Sequence, residues 1–549
     1  MPTITLDRKE FNRLLGKAIP EEKLKDRISM LGTDLESIDS EKIVVEIFPN
    51  RPDMLSMQGF VRALKSFVGI TKGLAKFEVK KSNEKIIIDG SVCKVRPYTA
   101  CAIVKGLELN DQKIKDIIQI QEKLHITFGR DRKKAAIGIY PIEKIKFPIK
   151  FLAKKPEEIK FRPLDSDKEM NASEILRKHP AGKEHGHLLD GNTSFPVFVD
   201  SNNNILSMPP IINSELTGRV CEKTKNIFIE CSGFDFNTLE LCLSMIVTAL
   251  SDMGGQIYSV DLEYPKKADN KTTPDLGPKK WEINIDNINK LLGLNLKEKD
   301  MKELLEKMGF GYDKKTVFVP AYRADIMHEV DFAEDIAIAY GYENFNEEIP
   351  DTNTIAEESA IESFKNKIAE ILTGAGLLEL NTYNLTNKEN QTLKMKLDKM
   401  EVVEMKNSVS KEYNTLRAWL IPCLLETLKN NKQHEYPHRI FDMGAVFVKD
   451  RKEETGVRED QHLAVAIAQQ DADFTKIKQI LDYLMRMIDA EYKTMETRNP
   501  SFLAGRAASV VCNSKEIGFL GEISPEVLEN WNLDMPVSVF EIDISGLMK

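Results

Sequence analysis

Apolar residues change their spacing several times along the chain, and each change marks a new element. Ile4 and Leu6 alternate with polar neighbours as in a short strand, and Arg8 to Leu15 reads as a helix. Val44-Val45-Glu46-Ile47-Phe48 is strand-like and runs into Pro49-Asn50-Arg51-Pro52-Asp53, where two prolines impose a rigid, non-helical turn. A helical segment from Leu55 to Val68 follows, with Asp53 near its start, where a carboxylate suits the helix dipole. Ala102-Ile103-Val104 and Ala136 to Tyr140 read as strands, and a helix lies near Lys113 to Leu124. Leu239, Cys242, Met245, Ile246 and Ala249 fall at helical spacing between Thr238 and Leu250.

A polar, turn-rich stretch from Lys266 to Pro278 closes that mixed region. Beyond it, Ile288, Leu291 and Leu292 suggest one helix, and Met301, Leu304, Leu305 and Met308 a second, closed by Gly309. A strand from Thr316 to Val319 and a helix from Asp331 to Tyr340, capped by Gly341, complete a small unit compatible with a winged-helix-like module. The last part opens with a helix from Ser363 to Thr373, ended by Gly374. Helices at Arg417 to Asn430, Lys476 to Met487 and Pro525 to Trp531 then alternate with strands rich in Val and Ile, as expected of an antiparallel sheet flanked by helices. The pattern predicts a multidomain α+β chain with domains at 1–85, 86–268, 276–348 and 352–549.

Composition agrees with that division. At 549 residues the chain is too long for one core, and about four domains are expected. Its 42% hydrophobic and 30% charged content is ordinary for a folded, soluble protein. A net charge of −9 argues against nucleic-acid binding through bulk positive charge, though a local basic strip suffices for phosphate contacts. Arg130, Arg132, Lys133 and Lys134 form such a cluster, equally readable as a solvated strand edge. Seven dispersed cysteines without a C-x-x-C pair argue against a disulfide framework or zinc knuckle and suit a reducing cytosol. The first ten residues show no apolar signal core, and no run approaches the ~18 apolar residues of a membrane span, so a cytoplasmic protein without membrane contact is expected. His179, His185 and His187 lie close together, but without a cysteine or acid at metal spacing they read as solvated loop residues.

The densest candidate chemistry is acidic. Asp331, Glu334 and Asp335 stand at i, i+3 and i+4 and share one helix face, with Asp325 six residues upstream. Two readings follow from the residues. Acids in a first turn are favoured by the dipole, and an acidic solvated face, with Arg323 pairing one member, is common. Convergence of four carboxylates would instead require a hard divalent cation, since each close pair repels by about 1 kcal/mol in water and more near a protein surface.

The run from Val319 to Asp325 and on through Tyr340-Gly341-Tyr342 is similar to the magnesium-binding module of phenylalanyl-tRNA synthetase beta subunits, which carries acids at this spacing. Phe48-Pro49-Asn50-Arg51-Pro52-Asp53 resembles that family's N-terminal signature. Phe128-Gly129-Arg130, Ala135 to Tyr140 and Met208-Pro209-Pro210-Ile211-Ile212-Asn213-Ser214 resemble the archaeal and eukaryotic form of its editing domain, and Phe502 to Ala507 and Ile517 to Glu522 its catalytic-like region. The resemblance implies a mixed α/β editing domain, a winged-helix-like magnesium domain, and a class II synthetase-like antiparallel domain. It implies Mg2+ on Asp325, Asp331, Glu334 and Asp335. It also implies an editing pocket at Leu206, Ser214, Glu230 and Ser232 for hydrolysis of tyrosine mischarged on tRNA(Phe).

The implied partners are an alpha subunit, in an alpha2beta2 heterotetramer that uses ATP to charge tRNA(Phe), and the tRNA itself. Arg439-Ile440-Phe441-Asp442-Met443-Gly444 lacks the arginine–x–glutamate pattern of a class II active site, so this region reads as non-catalytic, with synthesis on the alpha subunit. Two rival classes are a phosphohydrolase using the four acids in a two-metal site and a purely structural RNA-binding scaffold.

Overall fold

A computed structural model describes residues 2–349, 353 and 355–548; the expected domain start at 352 falls outside them. The chain divides into two compact units, Met1–Ile349 and Pro350–Lys549.

The first unit opens with a three-stranded antiparallel sheet in which Lys42–Glu46 lies between Thr3–Asp7 and Asp34–Ile38. Helices Arg8–Leu15 and Met57–Phe67 bury Phe11, Leu15, Phe60 and Leu64. The second starts two residues later than the apolar pattern predicts, because Ser56 caps it by accepting from Gly59 N–H. A helix at Glu21–Met30 has only Leu24 and Ile28 buried among charged residues, a periodicity too sparse to read.

The largest element is a ten-stranded mixed sheet. Its path runs Ile212–Asn213, Ile205–Met208, Phe195–Val199, Ile149–Lys154, Val79–Ile88, Gln256–Glu263, Tyr98–Lys105, Ile227–Gly233 and Ala135–Pro141, with Lys271–Thr273 off the path. Val79–Ile88 pairs in parallel with both its neighbours, and the other joins are antiparallel. The sheet curls so far that Tyr140, on one terminal strand, reaches Asn213 on the other, with oxygens 3.3 Å apart. Tyr140, Phe151, Phe198, Leu206 and Phe228 pack inside this curl.

Helix Phe236–Asp252 lies against the other face with ten buried residues. Its Leu243 and Ile246 belong to the same apolar core as Phe11 and Phe60 before it and Met301 and Phe332 after it. One continuous core thus joins the N-terminal, sheet and small regions of this unit. In the small region, strand Thr316–Val319 lies between Lys279–Glu282 and Gly311–Asp313, flanked by helices Ile285–Leu292, Glu298–Lys307 and Glu329–Tyr340.

The second unit is a seven-stranded sheet in the order Leu378–Leu380, His438–Lys449, Val457–Ala468, Val537–Asp543, Lys515–Ile523, Phe502–Cys512, Lys493–Glu496. All joins are antiparallel except the first. Period-two alternation sorts its faces: Leu463, Val465 and Ile467 enter the core under helices Ala360–Gly374 and Phe474–Met487, while Ala464, Ala466 and Ala468 face Ile421–Asn430. Two boundaries differ from expectation. Gly374 lies inside its helix, and the left-handed residue after it is Gly376, φ +81°. The helix expected from Arg417 starts at Ile421, because Arg417 turns inward and donates to the Ala445 and Thr382 carbonyls. Among the described residues, no helix is long and apolar enough to cross a membrane.

Candidate functional site

The four acids separate into three local arrangements. Arg323 donates to Asp325 from Nε (2.8 Å) and Nη2 (2.7 Å), and to Asp335 from Nη2 (2.6 Å). Arg323 and Asp335 are buried and Asp325 nearly so. Asp331 Oδ2 accepts the backbone N–H groups of Met327 (2.6 Å) and His328 (2.7 Å), closing a capping box at the start of helix Glu329–Tyr340. Glu334 is exposed and accepts from the Tyr342 hydroxyl at 3.0 Å. The i, i+3, i+4 spacing therefore does not make a common acidic face. Asp335 turns toward the core beside Phe332 and Ile336, drawn by the buried guanidinium.

Burial acts to raise the Asp325 carboxyl, but the charge and hydrogen bonds of Arg323 outweigh it and hold the group below the usual range. For the more buried Asp335 desolvation wins and the shift is upward. Next to this triad, Arg51 and Asp53 of the Pro-Asn-Arg-Pro-Asp turn form a second buried pair, with two contacts of 2.9 Å, and Arg51 acts electrostatically on both Asp325 and Asp335. Two sequence signatures some 270 residues apart thus build one ion-pair network. As arranged, the four acids do not fit one magnesium ion: two are spent on Arg323, one on backbone amides and one on a phenol. Among the described residues, the group whose acidic oxygens do approach one another closely is Asp34, Glu36 and Glu46, on the exposed side of the N-terminal sheet.

The second candidate site lies where the curled sheet meets helix Asp111–Ile126. A cavity of about 490 Å³ is walled by Ile117 and Gln121 of that helix, Ala136, Ile137 and Ile139 of the edge strand, Pro209 to Asn213, Ser207, and Glu230. Glu230 sits mid-strand opposite Gly138. Its Oε1 accepts from the Tyr140 hydroxyl at 3.1 Å, and its Oε2 is buried without a partner. Desolvation pushes this carboxyl up to about 8. Tyr140 folds back over Gly138 to reach it; a Cβ at 138 would lie 2.2 Å from the Tyr140 oxygen and 2.5 Å from Glu230 Oε1. Ser207 Oγ, also on the cavity wall, is buried; it makes no well-aligned hydrogen bond but lies near enough to Glu230 and Tyr140 to act on both.

Of the other expected pocket residues, Leu206 packs into the core inside the curl, and Ser214 is buried beside Asn213. Ser232 binds Arg96, which donates from Nε to Ser232 Oγ at 3.1 Å and whose own burial lowers it to about 10. None of these three faces the cavity; their neighbours Ser207, Asn213 and Glu230 do. Strand alternation puts Leu206 and Ser207 on opposite faces, so the apolar residue takes the core and the hydroxyl takes the cavity.

The cavity mouth is held by Arg132. This residue has φ +65° and donates to the carbonyls of Ile211 (2.9 Å) and Pro210 (3.3 Å) and to Glu122 (3.3 Å). Beside it, His125 Nε2 accepts from Ile137 N–H at 2.8 Å, so Nδ1 carries the proton and faces Glu122. That hydrogen bond, above the effect of Arg132, holds the Glu122 carboxyl down at about 2. The three loop histidines do not converge. His179 caps helix Pro180–His185 by accepting from Ala181 N–H, and His187 Nδ1 lies 3.1 Å from the Glu184 carbonyl oxygen.

Comparison with known proteins gives matches over nearly the whole chain. Residues 346–544 match the phenylalanyl tRNA synthetase beta chain CLM domain, 281–342 the tRNA synthetase B5 domain, and 104–240 the B3/4 domain. The chain is 42% identical over 556 residues to the phenylalanine–tRNA ligase beta subunit of Pyrococcus abyssi, covering all of both chains. It is 40% identical to that of Archaeoglobus fulgidus, covering all of this chain and 98% of the relative. Among solved structures, an N-terminal fragment of the Pyrococcus horikoshii phenylalanyl-tRNA synthetase beta subunit aligns with a TM-score of 0.59 and 42% identity, over 62% of this chain and 99% of the fragment.

Proposed function

The chain belongs to the family of phenylalanine–tRNA ligase beta subunits, and from that premise we propose that it serves an alpha subunit that charges tRNA(Phe) with phenylalanine using ATP, while itself hydrolysing tRNA(Phe) mischarged with tyrosine. Phenylalanine and tyrosine differ by one hydroxyl, which an apolar synthetic pocket rejects only modestly, so a second site that hydrogen-bonds the hydroxyl adds selectivity. The observation that carries the hydrolytic half is the buried, unpartnered Oε2 of Glu230 on the wall of a cavity of about 490 Å³. A buried polar atom left unsatisfied costs stability unless a ligand supplies its partner.

Synthesis belongs to the alpha subunit in this reading, within an alpha2beta2 assembly. Strand His438–Lys449 lacks the arginine–x–glutamate pattern of a class II active site, and its Asp442 is taken up by Thr382 and Arg417. Arg417 also fills the space over Gly444, where a Cβ would lie 2.1 Å from its Nη2. The second unit then acts as a scaffold. With the four acids already paired to Arg323, backbone amides and Tyr342, their arrangement does not favour a two-metal phosphohydrolase.

The test uses the complex with its alpha subunit and tRNA(Phe) charged with tyrosine or with phenylalanine. Release of tyrosine, abolished by Glu230→Ala, is expected; intact Tyr-tRNA would leave the scaffold reading standing. Pyrophosphate exchange by this chain alone is expected to be absent.

A further inference from the structure

A second cavity in the first unit, of about 310 Å³, shares no residue with the Glu230 cavity. It opens where the Arg51–Asp53 turn, helix Met57–Phe67, the end of helix Phe236–Asp252 and the Tyr322–Arg323 corner meet. Its wall is rich in positive charge: Arg51, Arg62, Lys65, Lys72 and Arg323 line it against Asp53 and Asp252. Asp53 is spent on Arg51, and Asp252 on Arg62. Counting Asp325 and Asp335 behind Arg323, cations still exceed acids by five to four. Among the described residues neither lysine has an ion-pair partner; Lys65 donates to the Leu14 carbonyl at 3.3 Å, and Lys72 is exposed at the rim.

Arg323 supplies an independent and directional signal. It is 4% exposed, its Nε and Nη2 are given to Asp325 and Asp335, and Phe310 covers its guanidinium at 4.8 Å. Nη1 remains, buried and without a partner. A guanidinium cannot shed a proton to escape that position, and an unsatisfied charged donor costs more than a neutral one. Tyr322 stands beside it, held under the Arg62 guanidinium at 4.1 Å. Its hydroxyl has no hydrogen-bond partner among the described residues and lies within electrostatic reach of Arg62, Arg323 and Arg51. A charged acceptor satisfies Nη1 better than a neutral one. We propose that this cavity binds a small oxyanion, a carboxylate or phosphate group that accepts from Arg323 Nη1 and the Tyr322 hydroxyl, with Lys65 and Lys72 balancing its charge. An occupant touches the N-terminal turn, the helix behind the large sheet and the small region at once, and so braces the joints of their shared core.

Isothermal titration calorimetry of the full chain with inorganic phosphate and, separately, with butyrate tests this. One-to-one uptake with a Kd of about 1 mM or tighter is expected from at least one of them, and the one that binds assigns the group. Tyr322→Phe and Lys65→Met are each expected to weaken uptake about five- to tenfold, the effect of one lost contact. Ala75→Trp, which fills the cavity, is expected to abolish it. The same ion should raise the Tm of the wild-type chain and leave that of Ala75→Trp unchanged, because only a ligand of the native state stabilises by mass action. No uptake of either ion up to about 10 mM would mean that the cavity takes only water, and would overturn the proposal. Uptake equal to wild type in Ala75→Trp and Tyr322→Phe would place the ion elsewhere and overturn it too. Should Ala75→Trp fail to fold, Tyr322→Phe and Lys65→Met decide.

Discussion

Arg323 and Asp335 form an ion pair of 2.6 Å with both side chains almost wholly withdrawn from water. Asp325 completes the triad from the other side of the guanidinium. Replacing Arg323 with Met leaves two buried carboxylates with no hydrogen-bonded cation and only the neighbouring Arg51, already paired with Asp53, as counter-charge. A loss of about 3–5 kcal/mol is expected, the range for breaking a buried pair from one side. Asp335→Asn, which keeps an acceptor and removes one charge, is expected to cost less. Hydrogen exchange in helix Glu329–Tyr340 reads both effects locally.

The cap at the start of that helix gives a second expectation. Asp331 satisfies two backbone N–H groups, so Asp331→Ala should destabilise the helix by about 1 kcal/mol whether or not magnesium is present. Chelation with EDTA should leave the Tm of the chain unchanged. A rise in Tm on adding magnesium, lost in Asp331→Ala, would show that the acids rearrange around an ion.

Gly138→Ala places a methyl group 2.2 Å from the Tyr140 oxygen. Something must move, and Tyr140 is boxed in by Phe228. A cost of about 1–3 kcal/mol is expected from overpacking, with loss of Tyr-tRNA hydrolysis well beyond what the stability change explains. Thermal melting and deacylation on the same preparation separate the two.

Glu230 adds a definite pH dependence to stability. Its carboxyl is at about 8 in the folded chain against an ordinary 4.5, so the native state binds the proton more tightly than the unfolded state does. Stability from this group is greatest below about pH 4.5 and is lost progressively as the pH rises to about 8. Glu230→Gln removes that slope. The difference between the two stability curves should fall across this window and flatten above it; a flat difference throughout would mean that the carboxyl titrates at its ordinary value in the folded chain.

Sequence pattern revealed the elements far better than their meetings. Met301, Leu304 and Leu305 announce their helix because one element buries them on one side, and all three are buried. Glu230 was legible as a pocket acid by resemblance. Ser207 and Tyr140 were not, because the cavity forms only when the two terminal strands of a ten-stranded path are brought together by curling, a property of the whole sheet and of no single segment. The acids illustrate the other limit. Spacing places Asp331, Glu334 and Asp335 on the same side of a helix, but whether that side looks at water or at an arginine depends on Arg323, which a helical wheel does not contain. The histidines lay in what read as a loop, and short helices with their own caps hold them apart.

The missing Cβ at position 138 ties together the mutational fates of three residues. While Tyr140 and Glu230 are both present, every side chain larger than hydrogen at 138 meets their oxygens. A lineage that keeps the phenol–carboxyl pair can therefore explore almost nothing at 138. Losing the Tyr140 hydroxyl alone is not enough, because Glu230 Oε1 and the ring carbon Cζ would still lie 2.5 and 2.7 Å from a Cβ; only a lineage that shortens both residues frees that site to drift, and once it is filled, return to tyrosine is blocked. The order in which these positions change is thus part of what the fold dictates, and reconstructing Tyr140 in a relative carrying alanine at 138 should fail until glycine is restored.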